Sequence, residues 1–119
     1  MAFAADAYTV SPLTDDPANI GLFLDALSPD VMPKDGSHAD RAIEESARLL
    51  QRAGFRRGDI LLITDHAGGG ADGAAIEARA AGYRVSVLGL GSEAGGYYRD
   101  RRGEAHAARL QDAALRALA

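Results

Sequence analysis

Apolar positions recur along the chain with two different spacings, which predicts helices and strands in alternation. Residues 39–52 place apolar side chains at helical spacing opposite a face of arginine and glutamate, and residues 20–27 repeat this spacing after Pro17. Residues 59–64 (DILLIT) and 84–91 (RVSVLGLG) are apolar runs next to glycines, a pattern typical of buried parallel strands. We expect DILLIT to be a central strand that is covered on both faces.

The remaining segments complete an α/β pattern. The alternation of strands and helices predicts one domain over residues 1–119, with the three-layer sandwich and mainly parallel sheet of a Rossmann-like fold. Asp15 or Asp16 is expected to cap the helix that begins at Pro17. The other predictions are two short extended pieces in residues 2–13, an irregular loop at 29–36, a helix at 72–81, a polar loop or hairpin at 92–106 and a final helix at 110–119.

Composition narrows the class of protein. A chain of 119 residues forms a single hydrophobic core, and its net charge of −4 argues against a nucleic-acid-binding surface. The absence of cysteine excludes disulfides and thiolate metal sites, but leaves the compartment open. No apolar run approaches the length of a membrane span, and the first ten residues lack the pattern of a signal peptide.

The candidate chemistry lies where DILLIT ends. Asp65 follows this strand directly, and Gly68, Gly69 and Gly70 leave space above it. Ligands of open parallel sheets bind at the carboxyl ends of the strands. Ser37 opens the helix expected to pack beside the strand, so its hydroxyl and the Asp65 carboxylate are predicted to reach one point. Such oxygen donors, completed by water, suit Mg²⁺ or Mn²⁺.

Each of these residues also has a structural interpretation. Ser37 with Asp40 resembles a helix capping box, and Asp65 is able to cap the turn that follows its strand. His66 is typical of a solvated loop. The segment HAGGGADG is able to hold a phosphate at the start of the next helix, but it lacks the Lys-Ser/Thr of a P-loop.

Four blocks in order carry a family resemblance: AFAADAYTVSPLTDD, MPKDGSHADRAI, ILLITD and VSVLGLGSEAG. Together they resemble the von Willebrand factor A (VWA) domain, especially that of bacterial Bat-type proteins encoded beside MoxR-type AAA+ ATPases. The resemblance implies a non-enzymatic protein-interaction module with a metal-ion-dependent adhesion site. Asp65 matches the aspartate of that site and Ser37 stands at its threonine position, so both are implied Mg²⁺ ligands, and no residue is implied to be catalytic.

The chain departs from the family pattern at the metal site. The family's Asp-x-Ser-x-Ser motif has no counterpart, and His66 replaces the usual glycine. The resemblance therefore implies a truncated, partial VWA-like domain, whose central first strand and main ligand motif lie upstream. Mg²⁺ is expected to bind weakly or not at all here, and firmly only in the complete parent. That parent is expected to be anchored in the bacterial inner membrane, and to bind a protein ligand or a MoxR-type ATPase.

Two further functions and two pairings of the sheet remain open. A small α/β metal- or nucleotide-binding enzyme would use Asp65 as an acid–base group or metal ligand. A response-regulator-like domain would phosphorylate Asp65, but the acidic pair and lysine it needs are not found. If the central strand is missing, we expect the N-terminal segment to move across and pair with DILLIT. The alternatives are that a second copy supplies a strand and forms a homodimer, or that the chain is only marginally ordered.

Overall fold

The helices and strands alternate as the sequence pattern predicts. The computed structural model of the protein describes residues 1–92, 94–99 and 102–118. The elements are β1 (Ala2–Phe3), β2 (Ala7–Tyr8), α1 (Pro17–Leu24), a 3₁₀ turn (Pro29–Val31), α2 (Ala39–Arg52), β3 (Gly58–Thr64), α3 (Ala71–Ala80), β4 (Tyr83–Gly89), β5 (Gly96–Arg99), β6 (Ala105–Ala108) and α4 (Asp112–Leu118).

The central sheet consists of β3 and β4, which run parallel. Their register extends without a bulge from Gly58 opposite Tyr83 to Thr64 opposite Gly89. A parallel pair needs a crossover connection, and α3 provides it. The predicted α/β class, with a parallel sheet and helices packed on it, is confirmed.

Only one face of this sheet is covered within the described part of the chain. Ile60, Leu62 and Thr64 are buried, whereas Leu61 is 61% exposed and Ile63 is 49% exposed. Because side chains alternate along a strand, the buried residues share one face, and they join the core formed with α2, α3 and α4. The expectation that DILLIT is covered on both faces is therefore wrong for the described residues.

Small side chains bring α2 and α3 close together over the covered face. The buried residues of the two helices are five alanines and Ile43, which is fully buried. Alanine lets two helix backbones approach closely, and the larger Ile43 fills the space between helix and sheet. This packing places the N-termini of both helices near the carboxyl end of β3.

The first helix begins as predicted but does not bury its apolar residues. Asp16 caps it by accepting a hydrogen bond from the Ala18 N–H at 3.0 Å, and Pro17 occupies the first helical position. No residue of α1 is buried, and Phe23 is 43% exposed. The following segment, predicted to lack regular structure, contains one 3₁₀ turn at residues 29–31, so that prediction was wrong.

The N-terminal segment forms its own hairpin. Ala2 pairs with Tyr8 and Phe3 with Ala7 in antiparallel register, which confirms the two extended pieces. The hairpin is tied to α2, because the His38 N–H donates to the Ala4 carbonyl at 2.8 Å. The predicted movement of this segment to pair with β3 is therefore wrong: among the described residues, β4 is the single strand paired with β3.

The C-terminal part contains a hairpin and a short helix. β5 and β6 pair antiparallel, which resolves the predicted loop or hairpin in favour of a hairpin. Residues 93, 100 and 101 of that segment lie outside the described residues. The helix α4 begins at Asp112 and buries Leu115 and Leu118 in the core, and the last residue of the predicted helix, Ala119, is likewise outside the described part.

Candidate functional site at the end of β3

The turn after β3 is held by the last residue of the strand. The buried Thr64 hydroxyl donates a hydrogen bond to the His66 carbonyl at 2.9 Å and accepts a weaker one from the His66 N–H at 3.4 Å. The backbone of residues 64–66 is thereby folded onto the strand end. Asp65, between these two residues, projects from the carboxyl edge of the sheet, where the sequence predicts it.

Asp65 presents a partly solvated carboxylate. Its side chain is 53% exposed, and one carboxylate oxygen, Oδ1, lies 2.7 Å from His66 Nδ1. The backbone carbonyl of Asp65 accepts a hydrogen bond from the Gln111 N–H at 3.3 Å, so the segment before α4 fixes this turn from the other side. His66 is therefore a partner of the carboxylate, and it lies in a loop with a side chain that is 36% exposed, as the sequence predicts.

The loop that carries Ser37 adjoins this turn. Gly68 has a φ of +71°, and a Cβ added there would lie 2.9 Å from the Ser37 carbonyl oxygen. Glycine adopts this conformation without a steric penalty and allows the two backbones to touch. Ser37 and Asp65 consequently lie on adjoining loops at the same end of the sheet, although their role as metal ligands stays a prediction.

Ser37 is not the cap of α2. The residue at the N-cap position is His38, and no side chain donates or accepts a capping hydrogen bond there. The capping box predicted from Ser37 and Asp40 is therefore wrong. The helix instead begins one residue later because the His38 backbone is fixed to Ala4 of the N-terminal hairpin.

Asp40 is a polar residue of this region whose environment the sequence did not reveal. Its Oδ1 is buried without a hydrogen-bond partner, and His38 Nδ1 lies 3.4 Å away outside hydrogen-bond geometry. The backbone of Gly70, with a φ of +89°, lies beside Asp40, where an added Cβ would be in ordinary contact at 3.4 Å from its Oδ2. The one sequence signal at Asp40 was its position three residues after Ser37, and that spacing predicted a helix cap.

The donors fit a hard cation in type but not in number. The Asp65 carboxylate and the Ser37 hydroxyl are oxygen ligands of the kind that Mg²⁺ prefers. Within residues 1–92, 94–99 and 102–118, however, no three histidine, aspartate or glutamate side chains are grouped so that they could hold a metal ion.

The fold and this strand end define a class: an α/β domain with a parallel sheet and an exposed carboxylate at the carboxyl edge. No family model and no curated protein matches the chain. Two solved structures match 98% of it: an aerotolerance-related membrane protein from Bacteroides fragilis, with 32% identity and a TM-score of 0.81, and BatB, a conserved hypothetical protein from Bacteroides thetaiotaomicron, with 35% identity and a TM-score of 0.82.

The chain thus has the fold of the Bat-type proteins and is similar to them in sequence along almost its whole length, which confirms the resemblance to Bat-type proteins found in the sequence. It spans 63% of the first relative and 62% of the second, so both relatives contain residues outside the match. The described part of the chain includes no helix with the length and apolar character needed to cross a membrane.

Proposed function

We propose that the chain is part of an aerotolerance-related interaction module of the Bat type. In this proposal it is not an enzyme, and the carboxyl end of β3 binds a protein partner through a divalent cation. The half-exposed Asp65 carboxylate at the strand end is the observation that carries the proposal. The backbone contact between Gly68 and Ser37 supports it, because it keeps a second oxygen donor on the adjoining loop.

The residues of the chain have separate tasks at this site. Asp65 and Ser37 would bind Mg²⁺ as two of its ligands, and Mg²⁺ would join them to a carboxylate of the partner. Thr64 holds the turn on which Asp65 is placed, and His66 orients the carboxylate through the 2.7 Å contact. Since two ligands are too few for firm binding, a protein of the relatives' length would contribute the others from residues outside the match.

The partner and location are proposed from the relatives. One relative is named as a membrane protein, which agrees with a parent anchored in the bacterial inner membrane. The resemblance to Bat-type proteins makes a MoxR-type AAA+ ATPase the first partner to test. A homodimer is the other assembly that the sequence suggests.

The Asp65–His66 pair favours one alternative function. A carboxylate that holds an imidazole at 2.7 Å is the arrangement of a general base, so a small α/β enzyme domain acting through these two residues is the second candidate. The two functions differ in their dependence on His66. The variant His66→Gln keeps a hydrogen-bonding side chain beside Asp65, so partner capture should persist, whereas an enzyme would lose its base.

Capture of the partner tests the proposed function. A protein of the relatives' length, immobilised, should retain a MoxR-type ATPase in Mg²⁺ and release it in EDTA. Asp65→Ala should abolish retention with an unchanged circular dichroism spectrum, and Ser37→Ala should weaken it. Asp15→Ala removes an exposed carboxylate elsewhere and should have no effect. Retention that persists in EDTA, or in the Asp65 variant, would place the interaction on another surface.

A further inference from the structure

The hairpin of β5 and β6 is attached to the candidate site at both of its ends. Before β5, the Leu90 N–H donates a hydrogen bond to the carbonyl of the last residue of β3 at 2.9 Å. After β6, the Gln111 N–H donates to the Asp65 carbonyl at 3.3 Å. The two ends are also bonded to each other, since the Leu110 N–H donates to the Ser92 carbonyl at 3.3 Å. The hairpin therefore begins and ends beside the turn that carries Asp65.

The strands of this hairpin contact each other rather than the rest of the domain. Four residue pairs join them, from Gly96 opposite Ala108 to Arg99 opposite Ala105. Neither strand makes comparable contacts with another helix or strand of the described chain, and none of the hairpin side chains that the structure describes belongs to the hydrophobic core. The hairpin thus leaves the carboxyl edge of the sheet and presents its described side chains to solvent.

One face of the hairpin exposes an aromatic ring beside a guanidinium group. Tyr97 and Arg99 are two positions apart on β5, so their side chains share a face. Tyr97 is 87% exposed, the most of any large apolar side chain that the structure describes, and Arg99 is exposed as well. Their cross-strand partners, Ala107 and Ala105, are too small to cover them. Arg99 Nη1 donates to the Gly103 carbonyl at 3.0 Å, which uses one of the five guanidinium N–H groups.

The hairpin is basic, although the chain as a whole is acidic. Residues 96–109 contain four arginines and two acidic residues, whereas the whole chain has a net charge of −4. The rest of the chain therefore carries a still larger negative charge. A broad anionic surface, such as a membrane or a nucleic acid, would be repelled by it. A short acidic segment needs to meet only the hairpin, and charge would direct it there.

We propose that the hairpin face formed by Tyr97 and Arg99 is a docking surface for a short acidic segment of a partner protein. The guanidinium would bind a carboxylate of this segment through its remaining N–H groups. An apolar side chain of the same segment would pack against the Tyr97 ring, next to the methyl group of Ala107. The inference rests on the proposed function in one respect only, that the same segment would also supply the carboxylate bound through the cation at Asp65.

Titration with a short acidic peptide, followed by NMR, tests this surface. The probe is EDLED, acetylated and amidated at its ends, and the titration is made in EDTA so that no divalent cation contributes. The amides of Tyr97, Arg99, Ala105 and Ala107 should shift and reach saturation, with a dissociation constant of about 1 mM. The control peptide QNLQN keeps the shape and removes the charge, and it should bind at least about fivefold more weakly.

Two substitutions assign the contacts to this face. Arg99→Gln removes the charge, and Tyr97→Ala removes the apolar contact, so each should weaken EDLED binding at least about fivefold. The matched control is Arg57→Gln, which removes an exposed arginine just before β3 and should leave binding unchanged. If a hairpin variant loses the pairing of β5 with β6, the comparison of EDLED with QNLQN on the unaltered protein decides the question by itself.

The variant Asp65→Ala separates this inference from the proposed function. In EDTA it should bind EDLED as the unaltered protein does, because the peptide contacts the hairpin and no cation is present. If EDLED binds normally but the longer protein captures no partner in Mg²⁺, the docking surface is supported and the proposed function fails. If partner capture depends on Mg²⁺ and Asp65 but EDLED does not bind, the proposed function is supported and the docking surface fails.

Three further results would overturn the inference. One is equal binding of EDLED and QNLQN, which would show that the charge of the segment does not matter. Another is unchanged EDLED binding in Arg99→Gln, or peptide-induced shifts that centre outside the hairpin. The third is broadening of the same four amides by vesicles containing phosphatidylserine while EDLED leaves them unshifted, because the hairpin would then bind a membrane surface.

Discussion

The backbone of Gly68 touches the carbonyl oxygen of Ser37, and this contact joins the two loops of the candidate site. An added Cβ at Gly68 would approach that oxygen to 2.9 Å, and its φ of +71° is one that other residues adopt only with strain. Asp65 and Ser37 are 28 positions apart in sequence. The glycine therefore determines how closely the turn after β3 and the start of α2 approach each other.

Gly68→Ala should destabilise the protein by about 2 kcal/mol or more, because it adds both backbone strain and a steric clash. Gly69→Ala is the matched control. It changes the neighbouring glycine, whose φ is not positive and whose added Cβ would meet nothing within 4 Å. The control should remain within about 0.5 kcal/mol of the unaltered protein. Urea unfolding measures both, and equal effects would show that the Gly68–Ser37 contact does not matter for stability.

Ser37→Ala should change the free energy of unfolding by less than about 0.5 kcal/mol, because no side chain caps α2. The comparison is Asp16→Ala, which removes the side chain that caps α1 and should cost that helix about 1 kcal/mol. Hydrogen exchange of the amides in the first turn of each helix measures the two effects locally. If Ser37→Ala accelerated exchange in the first turn of α2 more than Asp16→Ala does in the first turn of α1, the absence of a Ser37 cap would be contradicted.

The two faces of β3 should respond differently to truncation. Leu62→Ala removes a buried side chain and should cost about 2–4 kcal/mol, whereas Leu61→Ala removes one that is 61% exposed and should cost less than about 1 kcal/mol. The two substitutions are chemically identical and adjacent, so each controls for the other. If urea unfolding showed similar losses in the free energy of unfolding for both variants, the face of β3 that carries Leu61 would be covered in solution.

The sequence predicted those features that depend on local pattern. The helical spacing of residues 39–52 agrees with α2, and the apolar run of DILLIT with β3, because each pattern matches the period of its element. Asp16 and Pro17 located the start of α1 for the same reason. Asp65 was predicted to lie at the strand end because the apolar run DILLIT precedes it and a glycine-rich turn follows it.

What the sequence did not predict depends on contacts between distant segments. An all-apolar strand is typical of a sheet covered on two faces, but coverage of Leu61 and Ile63 depends on which other elements are present. The expected Ser37 cap was displaced because His38 is bonded to Ala4, which lies more than thirty residues away. Asp40, whose Oδ1 is buried, likewise lies beside Gly70, and no local pattern reports that contact.

Titration with Mn²⁺, followed by NMR line broadening, tests most directly whether the end of β3 is the cation-binding site. If Asp65 and Ser37 are its only two protein ligands, as proposed, the ion should bind this chain in the millimolar range or weaker. The amides of Ser37, His66, Gly68 and Gly69 should broaden first, and this broadening should disappear in Asp65→Ala but persist in Asp15→Ala. Broadening that starts elsewhere, that survives in Asp65→Ala, or that saturates at micromolar Mn²⁺ would contradict the account.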